Sequence, residues 1–201
     1  MRQIPLPHPR VFDDPEFAAR YKSGHGRHMQ MLGKQLAGSL RKAGFHGGRI
    51  LDSGCGFGGV AIEVARAFPE TEIVGVDLSE PLLEMARLLA EEKGIASRSR
   101  FEKASVESLP FEDDSFDVVI NTFMLHIVEN PPAMLNEIER VLKLNGHLFL
   151  YDLRRSWLGF FVGELRKPLT AAEGHEIIRH SNLRPGIIRS SLFWWSYHAH
   201  P

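Results

Sequence analysis

Cysteine is almost absent from this 201-residue sequence, in which Cys55 is the single example. A disulfide within the chain is therefore excluded, and a reducing, cytoplasmic setting is expected. Apolar runs are also short, because none approaches the roughly 20 residues that a membrane-spanning helix requires. The N-terminal stretch MRQIPLPHPRVFDD lacks the apolar core of a signal peptide. We therefore expect a cytoplasmic chain without a membrane span.

An excess of either charge is absent too. Lys and Arg number 24 and Asp and Glu number 25, which gives a formal net charge of -1. This balance lacks the electrostatic footprint of a protein that binds nucleic acid, so no such partner is expected. The 10 histidines are scattered without an H-x-x-x-H or Cys/His cluster, so no metal site is expected either.

The order of apolar segments predicts an α/β fold that follows a helical region. Residues 1–10 are rich in proline and are expected to be extended. Residues 13–45 are expected to form a helical cap with an apolar stripe of Met31, Leu32, Leu36 and Leu40. We predict a domain boundary here, with the N-terminal segment and cap at 1–45 and the main domain at 46–201.

Strands and helices alternate through the rest of the sequence. Strands are predicted at 49–52, 72–76, 100–104, 116–121 and 147–152, and helices at 59–68, 80–94, 131–146 and 170–182. Because these strands are almost continuously apolar, the alternation predicts a mainly parallel central sheet with helices on both faces.

Two aromatic segments lie near the C-terminus. The insertion at 154–168 carries Trp157, Phe160 and Phe161, which would form either a lid over an apolar ligand or a packing or dimer contact. The tail segment LFWWSYH is predicted to be an edge strand, through which a homodimer is possible.

The stretch ILDSGCGFGG, residues 50–59, allows two interpretations of the ligand. Its glycines at 54, 56 and 59 fit the dinucleotide pattern G-x-G-x-x-G, while Asp52 makes the same letters D-x-G-x-G-x-G. In a dinucleotide site a pyrophosphate packs against this turn, and a carboxylate two residues earlier would repel it. A ligand with an ammonium group would gain a charge-assisted hydrogen bond from Asp52 instead.

A second carboxylate, Asp77, ends the next predicted strand. It is able to accept hydrogen bonds from ribose hydroxyls, a feature that nicotinamide sites share, so Asp52 alone separates the two interpretations. Each aspartate alone would be explained by a turn or a helix cap. Both together, around a glycine turn, favour a cofactor site. Cys55 is interpreted as a small residue beside the ligand, not as a nucleophile.

Four motifs in order resemble the class I S-adenosylmethionine (SAM)-dependent methyltransferases, in the branch of the ubiquinone/menaquinone and other small-molecule enzymes. They are ILDSGCGFGG, IVGVDLS, VESLPFEDDSFDVVINTFMLH and EIERVLKLNGHLFLYDL. The resemblance covers Arg49–Leu153 and implies a Rossmann-like fold, SAM as cofactor, and in-line methyl transfer to a small, partly apolar acceptor. Alternatives are a non-catalytic SAM-binding subunit and, disfavoured by Asp52, an NAD(P)-dependent reductase.

The resemblance also implies roles for individual residues. Asp52 and the backbone of Gly54 and Gly56 would hold the methionine part of SAM, with Cys55 beside it, and Asp77 would hold the ribose. The adenine would contact Leu78, Ser105 and Val106, where Ser105 replaces the family's usual acidic residue. The backbone carbonyl of Asn121 would meet the ammonium group.

His126 is the candidate general base, since it follows the fourth strand and imidazole ionises near neutral pH. A structural histidine that bonds the loop backbone is the open alternative.

Overall fold

The structure, a computed structural model, describes residues 12–154 and 169–199. They fall into two compact units, one within Pro7–Ser105 (the N-terminal unit) and one within Val106–Pro201 (the C-terminal unit). The predicted extended segment at 1–10 lies outside the described residues, as do Trp157, Phe160 and Phe161 of the predicted lid. The predicted domain boundary at residue 45 stays a prediction.

The N-terminal unit combines a parallel sheet with helices, as the alternation predicts. Its elements are α1 (Pro15–Lys42), β1 (Gly48–Ser53), α2 (Gly59–Ala67), β2 (Thr71–Asp77), α3 (Glu80–Glu92) and β3 (Ser99–Lys103). The strand order is β3-β2-β1, and both pairings are parallel. The central strands carry fully buried apolar side chains on both faces, such as Leu51 and Val74, because helices cover them.

The predicted helical cap is one long helix, α1. Asp14 caps its first turn by accepting a hydrogen bond from the backbone N–H of Glu16 at 2.9 Å, and Pro15 follows at the first helical position. Leu36 and Leu40 are fully buried, and Leu32 is nearly so. Met31 was wrongly placed in this stripe: it is 63% exposed, because it lies one position off the i, i+4 repeat.

Close packing of α1 on α2 depends on Gly33. A Cβ atom at this position would lie 2.7 Å from the backbone oxygen of Val60 and 2.8 Å from Cβ of Glu63. No real Cβ contact is this short, so only glycine fits while the helix axes keep their distance. Gly38, one turn further on, has no atom within 4 Å of the equivalent point.

The C-terminal unit contains a mixed sheet. Its elements are β4 (Phe116–Thr122), α4 (Pro131–Val141), β5 (Leu142–Leu153), α5 (Ala171–Arg179), β6 (Ile187–Ser190) and β7 (Trp194–Ala199). Within the unit the strand order is β4-β5-β7-β6, with β4 parallel to β5 and both pairings of β7 antiparallel. The predicted mainly parallel α/β class is confirmed for the described residues of the two units.

The predicted end of the fourth helix at residue 146 is wrong. The helix stops at Val141 and the chain becomes extended at once, with Leu142 pairing with Phe116. Arg184 explains how the extended segment is held, since its guanidinium donates to the carbonyl oxygens of Lys143 at 3.0 Å and Leu144 at 2.7 Å. The prediction took Gly146 as the end of the helix, but this glycine lies within β5. The last helix, predicted to reach 182, ends at Arg179.

The tail segment LFWWSYH is not an edge strand. Its strand β7 lies between β5 and β6, so both of its edges are hydrogen-bonded. Trp195 of β7 is fully buried, and the missing Cβ of Gly174 in α5 would lie 2.4 Å from its ring. Burial of this ring against a helix explains the tail's aromatic composition and removes the basis for a dimer through β7.

Among the described residues, no helix is long and apolar enough to cross a bilayer. The same part of the chain contains no group of three or more His, Cys, Asp or Glu side chains arranged to hold a metal ion.

Two glycine substitutions in α1 test this packing. Gly33→Ala is expected to lower the free energy of unfolding by roughly 1–3 kcal/mol, because the new methyl group meets backbone atoms of α2. Gly38→Ala, the matched control, is expected to raise it by up to about 1 kcal/mol through helix propensity. Urea denaturation measures both; equal effects of the same sign would contradict the close approach of α1 and α2 at Gly33.

Candidate functional site

The carboxyl ends of three parallel strands form one edge of the N-terminal unit. The register pairs Ser53 with Val76 and Asp77 with Lys103, so β1, β2 and β3 end at the same level. Asp52 and Asp77 lie at this edge, and Ser105 follows β3 there because the N–H of Ala104 donates to the Asp77 carbonyl at 3.1 Å. In open α/β sheets this edge is where ligands bind.

The glycine loop between β1 and α2 is tied to the end of β2. The N–H groups of Gly54 and Cys55 both donate to the carbonyl oxygen of Val76 at 2.9 Å. Gly54, Gly56 and Gly58 have φ values of 83°, 51° and 74°, a conformation that side chains disfavour. Gly58 is the N-cap of α2 and provides no side-chain cap, and its own N–H donates to the carbonyl oxygen of Cys55 at 2.9 Å.

Asp77 fastens the loop to the following turn. Its Oδ2 accepts from the N–H of Gly56 and its Oδ1 from the N–H of Ser79, both at 2.9 Å. Burial raises the pKa of the Asp77 carboxyl, although these backbone donors lower it in part. The sequence predicted Asp77 as a ligand-binding residue but not its hydrogen bonds to the backbone, which shape the glycine loop before any ligand binds. Leu78, the next residue, is 48% exposed.

Asp52 is a buried carboxylate whose hydrogen-bonding capacity is only partly satisfied. Its side chain is only 1% exposed, and Oδ1 has no hydrogen-bond partner among the described residues. Burial, together with the negative charge of Asp77, raises the pKa of Asp52 to about 7, against a smaller lowering by the Ala61 N–H. A buried carboxylate with an oxygen that has no hydrogen-bond partner fits an ammonium group and disfavours a pyrophosphate.

Cys55 lies inside the loop as an inert thiol. It is buried, and burial with the charges of Asp77 and Asp52 raises its pKa well above the ordinary range. Since the thiolate is the reactive form, these surroundings agree with the interpretation of Cys55 as a small packing residue. Its sulfur would lie 2.9 Å from a Cβ on Gly75, which shows how little room the loop leaves.

Aromatic side chains from the start of α1 pack beside the glycine loop. The ring of Tyr21 lies 6.0 Å from that of Phe57 in the loop and 5.2 Å from that of Phe12. Ser79, which caps α3, also donates to the carbonyl oxygen of Phe12 at 2.6 Å. A cavity of about 450 Å³ opens between α1 and α3, with Lys22 and Phe57 among its lining residues.

Two predicted cofactor residues, Val106 and Asn121, lie in the C-terminal unit. Val106 is buried, and Asn121 of β4 is fully buried with its Nδ2 directed at the sulfur of Met134 at 3.5 Å. The side chain of Asn121 is thus engaged in the core, and the predicted contact of its backbone carbonyl with the cofactor stays a prediction.

His126, also in the C-terminal unit, is paired with Asp152. Its Nδ1 lies 2.5 Å from Oδ1 of Asp152, and its backbone N–H donates to Oδ2 at 3.2 Å. The Asp152 side chain is fully buried, while that of His126 is 14% exposed. The sequence analysis singled out His126 but not its pairing with Asp152. The available signal was that β4 and β5 are consecutive parallel strands, whose ends must meet.

The geometry of this site and the comparison with known proteins together show the family of the chain. The strand-end edge, the glycine loop and the two aspartates define a Rossmann-like α/β ligand-binding protein. Residues 51–150 then match the family described as a methyltransferase domain. This half of the chain is a methyltransferase domain, and the resemblance to SAM-dependent methyltransferases is confirmed.

A curated relative shares part of this sequence. The ubiquinone/menaquinone biosynthesis C-methyltransferase of Geobacter sp. (strain M21) is 33% identical over 125 residues, which are 61% of this chain and 53% of the relative. The chain spans about half the length, or less, of the first curated relatives it matches.

Solved structures share the fold. A SAM-dependent methyltransferase from Aquifex aeolicus aligns with a TM-score of 0.75 and 17% identity, over 92% of this chain and 97% of that one. Geranyl diphosphate C-methyltransferase from Streptomyces coelicolor A3(2), solved with Mg2+, geranyl diphosphate and S-adenosyl-L-homocysteine, aligns with a TM-score of 0.64 and 18% identity, over 76% of this chain and 72% of that one. The predicted Rossmann-like fold is confirmed.

The raised pKa of Asp52 predicts how stability depends on pH. Because the folded carboxyl binds its proton more tightly than the unfolded one, the free energy of unfolding should fall as pH rises from the ordinary value of 3.8 to about 7. Asp52→Asn should remove this slope, so it should be the more stable protein at pH 8, by on the order of 4 kcal/mol at most, and converge with wild type near pH 4.

Urea denaturation across this pH range measures the difference between the two proteins. Glu84→Gln, which removes an exposed carboxylate from α3, is the matched control and should leave the profile unchanged. Parallel profiles for wild type and Asp52→Asn would show that the burial of Asp52 carries no electrostatic penalty.

Proposed function

We propose that this chain binds SAM at the strand-end edge of the N-terminal unit and transfers its methyl group to a small-molecule acceptor. The observation that carries the proposal is Asp52, a buried carboxylate with an unsatisfied oxygen beside the glycine loop. Of the cofactors that bind to a glycine loop in such a sheet, SAM brings a cation to this position, while NAD(P) brings a pyrophosphate.

The residues at the edge have separate tasks in this proposal. Asp52 accepts the α-ammonium group, and the loop at Gly54 and Gly56 approaches the methionine part closely because it has no side chains there. Asp77 binds the ribose. Each of its oxygens already accepts one backbone N–H and keeps capacity for a further donor, so two hydroxyls fit without releasing the loop.

The remaining cofactor contacts are proposed from the resemblance. Leu78, exposed after β2, packs on the adenine ring. Ser105 and the backbone N–H of Val106 bond the edge of that ring, and the backbone carbonyl of Asn121 meets the ammonium group. Ser105 has a hydroxyl where relatives have a carboxylate, so we expect weaker selection of adenine.

Bound SAM supplies an activated methyl group, so the protein's own tasks are to position the acceptor and to exclude water. The acceptor is proposed to be a small, partly apolar molecule. The cavity between α1 and α3 supports this proposal, because it combines Lys22 and Gln30 with Phe57, Met85 and Leu89. We also propose a cytoplasmic setting and a homodimer. The dimer contact is not assigned to β7, because both edges of that strand are already paired.

Calorimetry with a cofactor panel tests the proposal. Wild type is expected to bind SAM and S-adenosylhomocysteine, which share the ammonium group, and to bind NADH at least tenfold more weakly. Asp52→Asn should lose at least tenfold in affinity for both adenosyl ligands, since hydrogen bonds to charged groups contribute roughly 1.5–3 kcal/mol.

The control for this loss is Glu84→Gln, which changes the net charge by the same amount at an exposed position. It should bind both adenosyl ligands as wild type does. Preferred binding of NADH, or equal affinity of wild type and Asp52→Asn for SAM, would reject the assignment. Binding without methyl transfer to any acceptor would leave a SAM-binding subunit, not an enzyme.

A further inference from the structure

The cavity between α1 and α3 lies wholly within the N-terminal unit and is bounded by one face of each helix. Met85 and Leu89, one turn apart, line it from α3, and Phe57 lines it from the glycine loop. The lining residues of α1 are Ala19, Lys22, Ser23, Gly26 and Gln30. Its volume of about 450 Å³ suits a small molecule. A molecule held here would lie against the loop that is proposed to contact the cofactor.

Gly26 gives this cavity part of its room. A Cβ atom at Gly26 would have no other atom within 4 Å, so the position faces open space. Gly24 has equally open surroundings but does not line the cavity. Two steps along an α-helix turn a side chain by about 200°, so the two glycines lie on nearly opposite sides of α1. A side chain at Gly26 would therefore enter the cavity, and one at Gly24 would point away from it.

Lys22 brings a positive charge to the cavity wall. Its side chain is half-buried, and its ammonium group forms no ion pair or hydrogen bond with another described residue. Glu92 of α3 lies within range of this charge, but its lowered pKa is caused first by Lys93 and last by Lys22. Lys93 donates to the Glu92 carboxylate at 2.7 Å, so this carboxylate already has a cation of its own. The charge of Lys22 remains available to a ligand.

The opposite walls are apolar. Phe57 and Leu89 are 4% and 7% exposed, and Met85 is half-buried, with a flexible thioether that adapts to the shape of a ligand. An apolar body would pack on these three side chains, while a carboxylate or phosphate would gain a charge-assisted hydrogen bond from Lys22. An ammonium group would be repelled there, and an uncharged molecule would leave the cation unpaired.

We propose that the methyl acceptor is an amphipathic anion, whose carboxylate or phosphate head pairs with Lys22 while its apolar body fills the cavity beside Phe57. This inference rests on the proposed methyl transfer and names the class of its acceptor. Lys22 selects the acceptor by charge, and Gly26 leaves space for its body. The cavity should therefore discriminate against neutral and cationic molecules of the same length.

Methionine-methyl NMR with probes of equal chain length tests this selection. Carbon-13 labelling gives a methyl signal for each of the 6 methionines, and the signal lost in Met85→Leu belongs to Met85. Octanoate, octyl phosphate or both should shift this signal in a saturable way, and their affinities show which head group is preferred. 1-Octanol and octylamine should bind at least about tenfold more weakly than the better anion. No shift with either anion, or equal affinity for the neutral or cationic probe, would overturn the inference.

Substitutions on α1 separate the charge from the room. Lys22→Met removes the charge and should weaken anion binding about fivefold or more, whereas Lys22→Arg should retain it. Gly26→Leu fills the cavity and should abolish the shift of Met85, while the matched control Gly24→Leu should bind as wild type does. Both leucines favour the helix over glycine, so neither change disrupts α1. Undiminished anion binding by Lys22→Met or by Gly26→Leu would contradict the assigned site.

Binding alongside the cofactor tests whether the cavity holds the acceptor. An acceptor must be bound together with the cofactor, so saturating S-adenosylhomocysteine should leave the affinity for the better anion within about twofold or increase it. A loss of about tenfold or more would overturn the acceptor role. If neither SAM nor S-adenosylhomocysteine binds in calorimetry, the proposed function fails. If SAM binds but the four probes bind equally, only this inference fails.

Discussion

Two carboxylates, those of the buried Asp52 and the half-buried Asp77, lie at the ends of adjacent parallel strands, and no ion pair among the described residues involves either of them. Burial raises both pKa values, and that of Asp52 reaches about 7. A fold that retains such an uncompensated charge carries an electrostatic penalty that a cationic ligand would remove. The strand ends, the glycine loop and the start of α2 all serve to keep these groups at one edge.

The two carboxylates divide structure from binding. Both oxygens of Asp77 accept hydrogen bonds from the backbone, one from the N–H of Gly56 and one from the N–H of Ser79. These bonds fix the conformation of the glycine loop before a ligand binds. Asp52 has an oxygen left without a partner and therefore gains most from a ligand. A similar arrangement recurs at the ends of β4 and β5, where Asp152 holds His126. In each unit, one carboxylate at a strand end fixes a neighbouring group that is suited to chemistry or recognition.

The sequence predicted most of the fold, because hydrophobic alternation and turn residues report local structure. It located β1, β2 and α3, and it singled out Asp52 and Asp77 from their places at strand ends. It failed where tertiary contacts decide. The segment up to Gly146 was predicted to be helical, but Arg184 holds it in an extended conformation. The strand β7 was predicted to be an edge strand, but β6 pairs with its outer side. The pairing of His126 with Asp152 was missed for the same reason, since no local pattern encodes it.

Proton release on cofactor binding tests the central claim most directly. If the Asp52 carboxyl is protonated at pH 6 and ionises when it meets an ammonium group, SAM binding at that pH should release close to one proton per site. Calorimetry in buffers that differ in ionisation enthalpy gives the number of protons released, because the measured binding enthalpy changes in proportion to it. At pH 8.5 the release should fall to near zero, and Asp52→Asn should lack it at both pH values. Equal proton exchange by wild type and Asp52→Asn would contradict the role of Asp52 as the cation-binding group.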